Sequence, residues 1–322
     1  MADPAPTAGP PAGPPRLEAR LGVALIATLA VAPLLPKWAA FLVTLALSKG
    51  LVALGLLLLM RTGLVSFGQG LYFGVGAYAV GLGADALHLS DAVPMVLLGA
   101  AAAAALALLL GLLLARYRTI FFAMLSLAFS MIFYGLLVKT PALGSTDGFN
   151  VVARSTFGLA SAGPVGRFGV YGLAALVAFG AAVGLDRYLA SHLGRLAPAV
   201  RDNELRVEYM GASARNVVHL HLIIAAALAG GGGALTALAV GHVDPETAYW
   251  TTSGEFVFVA ILSGTGSVAA PFAGALVLEL LRSFAYEHAP NTWQLVVGGA
   301  MLAVILFLPD GLWSVFRRRG AA

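Results

Sequence analysis

From Ala92 to Ala115 the chain runs without one ionisable side chain, a stretch long enough to cross the hydrocarbon core of a bilayer as a helix. It has company. Apolar runs also occupy about 21–36, 38–60, 70–88, 119–138, 169–186, 217–241, 255–266, 268–287 and 292–309. A soluble core cannot absorb so much oil: 60% of the residues are hydrophobic, 11% are charged, and the mean hydropathy is +0.90, where soluble domains are about half apolar and about a quarter charged. The alternating pattern of a membrane barrel is missing, so the spanning elements are helices. The expectation is an all-α polytopic membrane protein with about eight to ten transmembrane helices in 322 residues.

The positions of the charges orient it. With a cytoplasmic N-terminus and ten crossings, thirteen of the nineteen basic residues fall inside, Arg61, Arg116, Arg118, Arg187, Arg201 and Arg317 to Arg319 among them. Lys37, Lys139, Arg154 and Arg167 fall outside. Both termini are expected inside, and the net charge of +4 serves orientation and not nucleic-acid binding. Residues 1–20, rich in proline, alanine and glycine at their start, read as a disordered cytoplasmic tail. A permease-like transmembrane body follows over 21–312, with a cytoplasmic loop at about 190–216, and residues 313–322 form a basic cytoplasmic tail. With no cysteine and six scattered histidines, neither disulfides nor a metal site is expected.

One loop departs from the oil. Between Ala199 and Gly211, A-V-R-D-N-E-L-R-V-E-Y-M-G, five of thirteen residues are charged. Pro198 suits the start of a short helix, Asp202 and Arg206 stand at an i,i+4 spacing, and Gly211 suits its end. The segment is either a solvated connector or a helix presented to an aqueous partner. The chain's three lysines follow Pro36, Ser48 and Val138, so no Gly-Lys-Ser/Thr phosphate loop exists, and ATP hydrolysis by that route belongs to another protein.

Two further features concern the membrane interior. The stretch G-L-V-S-F-G-Q-G-L-Y-F-G-V-G-A-Y from Gly63 to Tyr78 is not a nucleotide loop. It reads either as tight helix packing or as a broken helix lining a path, with Ser66, Gly68, Gly70, Tyr72 and Gly74 as candidate path residues. A fainter echo at 262–275 adds Gly264 and Gly266 and suggests a parallel internal repeat. Lys49 lies half-way along an apolar run, where a charge costs about 2.5–3.5 kcal/mol on insertion scales, so it is expected to face a cavity or a partner. Glu255 and Glu279 are its candidate partners. Lys49 joins the path candidates.

In order and spacing, these stretches resemble the LivM-type permease subunit of branched-chain amino-acid ABC importers. The resemblance runs through 63–78, F-F-A-M-L-S-L-A-F-S at 121–130, G-S-T-D-G-F at 144–149, the charged loop, A-L-A-G-G-G-G-A-L at 227–235, T-T-S-G-E at 251–255, and W-Q-L-V-V-G-G and L-P-D-G-L near the end. It implies a bacterial inner-membrane subunit without catalytic residues or a cofactor of its own. Separate ATP-binding subunits would bind ATP, and a second permease and an external substrate-binding protein would complete the complex. The charged loop would be the coupling helix, with Arg201, Asp202, Asn203, Glu204, Glu208 and Gly211 as the contact. Relatives of this family carry urea, short amides or other small solutes, and an ion-coupled carrier is the alternative of a different class.

Overall fold

The computed structural model describes residues 15–31, 35–151, 155–160, 164–307 and 311–313. The basic tail Arg317–Arg319 and most of the proline-rich start lie outside the described residues. Among the described residues twelve α-helices follow in order: α1 Pro15–Val31, α2 Lys37–Arg61, α3 Gln69–Ala86, α4 Ala92–Leu114, α5 Thr119–Lys139, α6 Pro164–Ala190, α7 His192–Asp202, α8 Glu204–Tyr209, α9 Ala214–Val240, α10 Trp250–Ser263, α11 Ala270–His288 and α12 Trp293–Phe307. Five helices, α2, α4, α5, α9 and α6 from Phe168 onward, are each long and apolar enough to cross a membrane. The protein is an all-α polytopic membrane protein. Residues 15–20, assigned to the tail by composition, begin α1, with Pro15 in the first-turn position that needs no amide hydrogen.

The burial pattern is that of a protein solvated by lipid. On α4 the buried stripe Met95, Gly99, Ala103, Ala107, Gly111 and Leu114 is mostly small, whereas Leu97, Leu108, Leu109, Leu112 and Leu113 point outward. α5 repeats this, burying Phe122, Ser126, Ser130 and Leu137 and exposing Ile120, Phe121, Met124, Ile132 and Leu136. A surface helix in water has its large apolar face inside. Here small residues let backbones approach, and the large ones meet the hydrocarbon.

α2 and α9 form the centre. Leu51 to Leu59 of α2 are buried on every side. Gly230 to Gly233 of α9 show why that segment is glycine: a Cβ on Gly230 would meet the Gly99 carbonyl oxygen of α4 at 2.5 Å, and one on Gly232 would meet the Ser48 carbonyl oxygen of α2 at 2.5 Å. A Cβ on Gly76 of α3 would strike the Gly230 carbonyl. Three helices therefore cross α9 at backbone contact.

The connecting segments sort to two ends. At one, β1 (Phe149–Asn150) pairs antiparallel with β4 (His242–Val243), and Asp91, before α4, meets the hairpin formed by β2 (Ser155–Thr156) and β3 (Leu159–Ala160). At the other, Arg118 pairs with Glu204, Arg61 Nη2 donates to the Thr265 carbonyl at 2.9 Å, and Arg215 Nη2 donates to the Leu112 carbonyl at 2.9 Å. Each of these contacts joins segments that the charge distribution assigns to the same side.

Candidate functional site: a charged loop, an intramembrane ion network and a helix junction

The charged loop is two helices and not one. α7 runs through Pro198 to Asp202, Asn203 is extended, and α8 starts at Glu204. Pro198 therefore lies inside a helix. The proline side chain is exposed. Asn203 splits the loop because its side-chain Oδ1 accepts from the Arg206 amide at 3.0 Å, capping α8. Asp202 and Arg206 consequently sit on different helices, and their expected helical pairing does not form. Gly211 adopts φ +87, ending the segment before α9 as expected.

Val200 and Val207 anchor the two helices in the core. Arg201, Asp202, Asn203 and Glu208 are exposed, as is Gly211. Glu204 is turned back instead, in an ion pair with Arg118 at the α4–α5 turn. Composition drew attention to the charges, but the outward surface of α8 is also apolar: Leu205 is 65% exposed, Tyr209 89% and Met210 67%. In sequence these three are ordinary apolar residues, and only the buried position of Val207 reveals which side faces out.

The second constellation is inside the membrane-spanning body. Lys49, the thirteenth residue of α2, places Nζ 2.9 Å from Glu255 Oε1 on α10 and 2.6 Å from Glu279 Oε1 on α11. Arg282, one turn beyond Glu279, holds Glu255 Oε2 at 2.6 Å and lies 5.5 Å from the Trp293 ring centroid. Two cations and two carboxylates thus close a neutral ring across three helices. Both expected partners of Lys49 are present, and Arg282 is an additional member. Isolated, each charge would carry a large desolvation cost; alternating signs at hydrogen-bond distance offset it.

The third lies where α3 begins. Phe67 N donates to Ser126 Oγ of α5 at 3.1 Å, Gly68 N to Ser66 Oγ at 3.3 Å, and Gly70 N to Ser253 Oγ of α10 at 2.9 Å. The glycines permit this closeness: a Cβ on Gly70 would lie 2.6 Å from Ser253 Oγ, and one on Gly74 would lie 2.9 Å from Ala248 Cβ. The structure thus gathers Ser66, Gly68, Gly70 and Gly74 where α3 meets α5 and the start of α10, segments that sequence reasoning did not connect to them, while Tyr72 is buried on another face of α3. Gly264 and Gly266 do not join it. They lie in the α10–α11 turn, where Gly264 takes φ +78 and Leu312 N donates to the Leu262 carbonyl at 2.8 Å.

Among the described residues, no group of three or more His, Asp or Glu could hold a metal ion. His219 bonds the Leu108 carbonyl, whereas His221 is buried against Thr62.

Residues 38–306 match the family described as the branched-chain amino acid transport system permease component. The chain is 29% identical over 282 residues to the high-affinity branched-chain amino acid transport system permease protein LivM of Escherichia coli K12, covering 80% of this chain and 65% of that protein. The Salmonella typhimurium LivM matches with the same identity and coverage. The high-affinity branched-chain amino acid transport system permease protein BraD of Pseudomonas aeruginosa is 28% identical over 138 residues, 42% of this chain and 44% of BraD. The chain thus spans just under two thirds of the LivM length. No solved structure matches.

Proposed function

We propose that this chain, which belongs to the branched-chain amino acid transport permease family, is the membrane-spanning subunit of an ATP-driven importer. Its solute is a branched-chain or closely related amino acid. In this reading it sits in a bacterial inner membrane with both termini cytoplasmic. It pairs with a second permease, receives solute from an external binding protein, and is driven by separate ATP-binding subunits.

The observation that carries the reading is the α7–α8 loop. A short helix held to the core by Val200 and Val207 presents Leu205, Tyr209 and Met210 within a ring of charge. An exposed aromatic and its apolar neighbours, rimmed by polar groups, have the composition of an interface anchor. Arg118–Glu204 ties the same helix to the α4–α5 turn, and Gly63, at the end of α2, packs against Arg201. A push on this loop therefore reaches the α4–α5 turn through Glu204 of α8 and the end of α2 through Arg201 of α7. The ion network supports the class as well. Glu255 and Glu279, the two carboxylates that face Lys49, are both engaged by cations, which speaks against their serving the proton cycle of an ion-coupled carrier.

The test is Leu205→Ala with Tyr209→Ala in the reconstituted complex. Loss of ATP-binding subunits on purification, together with loss of amino-acid uptake and with unchanged thermal stability of the isolated chain, is the expected result. Full uptake with full recovery of those subunits would overturn the coupling role.

A further inference from the structure

Two helices start in the middle of the membrane-spanning body, and they start at the same place. α10 has 14 residues, about 21 Å, well short of the roughly 30 Å hydrocarbon thickness. Its N-cap Tyr249 follows Ala248, whose carbonyl accepts from Ser130 Oγ at 2.8 Å. Ser130 lies eleven residues along α5, about 16 Å from that helix's start, so α10 begins at mid-depth. α3 begins near the same level. Phe67 bonds Ser126, about 10 Å along α5, and the amide of Gly70 reaches Ser253 in the first turn of α10. The first turns of the two helices therefore lie side by side and antiparallel within the membrane-spanning body, Gly70 beside Ser253 and Gly74 beside Ala248.

A second observation points to a ligand there. Gln69 opens α3 and is 0% exposed, and neither its amide nitrogen nor its amide oxygen has a hydrogen-bond partner. Tyr72, one turn on and on the same face, is 1% exposed with its hydroxyl also unpartnered. Buried side-chain polar groups are nearly always satisfied, and here three such atoms on one turn are not. Between Thr62 and Ala77 there is no acidic or basic residue, so the groups offered are neutral donors at the positive end of α3. Beside them the Phe73 and Phe256 rings pack with centroids 5.0 Å apart, an apolar wall.

We propose that this junction holds the α-carboxylate of an amino acid in mid-passage, with Gln69 and Tyr72 as donors to it and the aromatic wall beside its uncharged side chain. The inference rests on the permease reading and names the solute group that the permease handles. Beside this site, Gly70 and Gly74 let the segment leading into α10 lie against α3, and Gly68 lets α5 approach at Ser126. Gln69, Tyr72 and Ser253 are buried, so solute reaches them only when the helices around them part.

The test uses the assembled transporter, whose permease chain here has no native cysteine. An Ala248→Cys reporter beside the junction is labelled during turnover with a small thiol reagent. Leucine is expected to slow labelling at least fivefold, and leucinamide, which lacks the carboxylate, is expected not to. Gln69→Leu should abolish the protection and lower leucine uptake at least tenfold; Tyr72→Phe, which removes a single oxygen, should lower both by a smaller factor. Equal protection by leucinamide, no protection by leucine, or wild-type uptake in both variants would overturn the site. An unaltered complex that takes up no amino acid would refute the permease reading instead, so the two failures are distinguishable.

Discussion

Lys49 on α2 and Glu255 on α10 are 206 positions apart in sequence and 2.9 Å apart in space, and Glu255 is itself held by Arg282 of α11. The pair turns a costly charge in an apolar helix into a fastener between three helices. Removing one partner from a buried pair generally costs about 3–5 kcal/mol, because the other charge stays behind unpaired. Lys49→Met should still insert, since insertion follows the apolar length of α2, but thermal unfolding of the purified chain should drop by several degrees. Adding Glu279→Gln, which leaves Glu255 and Arg282 as a neutral pair, should recover part of the loss. A single variant as stable as the parent would show that the ring does not fasten these helices.

The α3–α4–α9 crossing makes a sharper demand. Gly76 admits no Cβ without displacing the Gly230 backbone, and Gly99 would bring one within 2.8 Å of the Gly76 carbonyl oxygen. Gly76→Leu is expected to abolish recovery of folded protein. Gly180→Leu, at a position where a Cβ meets nothing within 4 Å, should be tolerated. Yield and monodispersity in detergent measure both. Equal yields would mean that the crossing can open at little cost.

At the end carrying β1 and β4, Asp91 caps α4 by accepting from Val93 N at 2.9 Å, and it accepts from Ser155 Oγ at 3.0 Å and Gly158 N at 2.7 Å. These bonds, that from Gly158 foremost, hold its carboxyl below the ordinary carboxylate range. The carboxylate is preferred in the folded state, so its contribution is complete above the ordinary value of about 4 and declines as pH falls through the lowered folded value. Hydrogen exchange of the Gly158 amide should accelerate, after correction for intrinsic rates, once pH falls below that range, and Asp91→Asn should flatten the profile. A pH-independent corrected rate in the parent would contradict the assignment.

Sidedness is open to direct chemical test because the sequence contains no cysteine. With Asn203→Cys, an impermeant thiol reagent should leave intact cells unlabelled and should label inverted vesicles. With Thr146→Cys, in the loop before β1, the pattern should reverse. Labelling of position 203 in intact cells would invert the proposed orientation.

Glu204→Lys addresses a different contact from the Leu205 and Tyr209 pair. It places two cations together at Arg118 and should loosen α8 from the α4–α5 turn while leaving the outward apolar surface in place. ATP-binding subunits should still co-purify, while uptake per ATP hydrolysed should fall severalfold. Unchanged stoichiometry would show that the Arg118 tie transmits nothing.

What could be read in the sequence was set by range. Apolar runs located the membrane-embedded helices because lipid rewards length and composition locally, and Lys49 stood out because a charge there violates that rule. Its partners were narrowed to Glu255 and Glu279 by scarcity. Arg282, near the end of an apolar run, carried no signal that it closes the ring. The contact of Gly70 with Ser253 spans 183 positions and involves a serine with no distinguishing pattern. Pro198 departs from its usual place: proline favours a helix start, yet here it stands inside α7. Gln69 was passed over because a glutamine among glycines looks unremarkable until its burial is known.

α10 brings two of these features onto one rod. Ser253, bonded to the amide of Gly70, and Glu255, clasped by Lys49 and Arg282, are two residues apart, about 200° around the axis. They face nearly opposite ways, as the two jaws of a rocker do. A sideways shift of α10 that drew Ser253 away from α3 would press Glu255 toward the cations behind it, and the reverse shift would pull on that grip as it shut the junction. Opening at one face is thus geared mechanically to compression at the other, without any intervening residue to carry the motion.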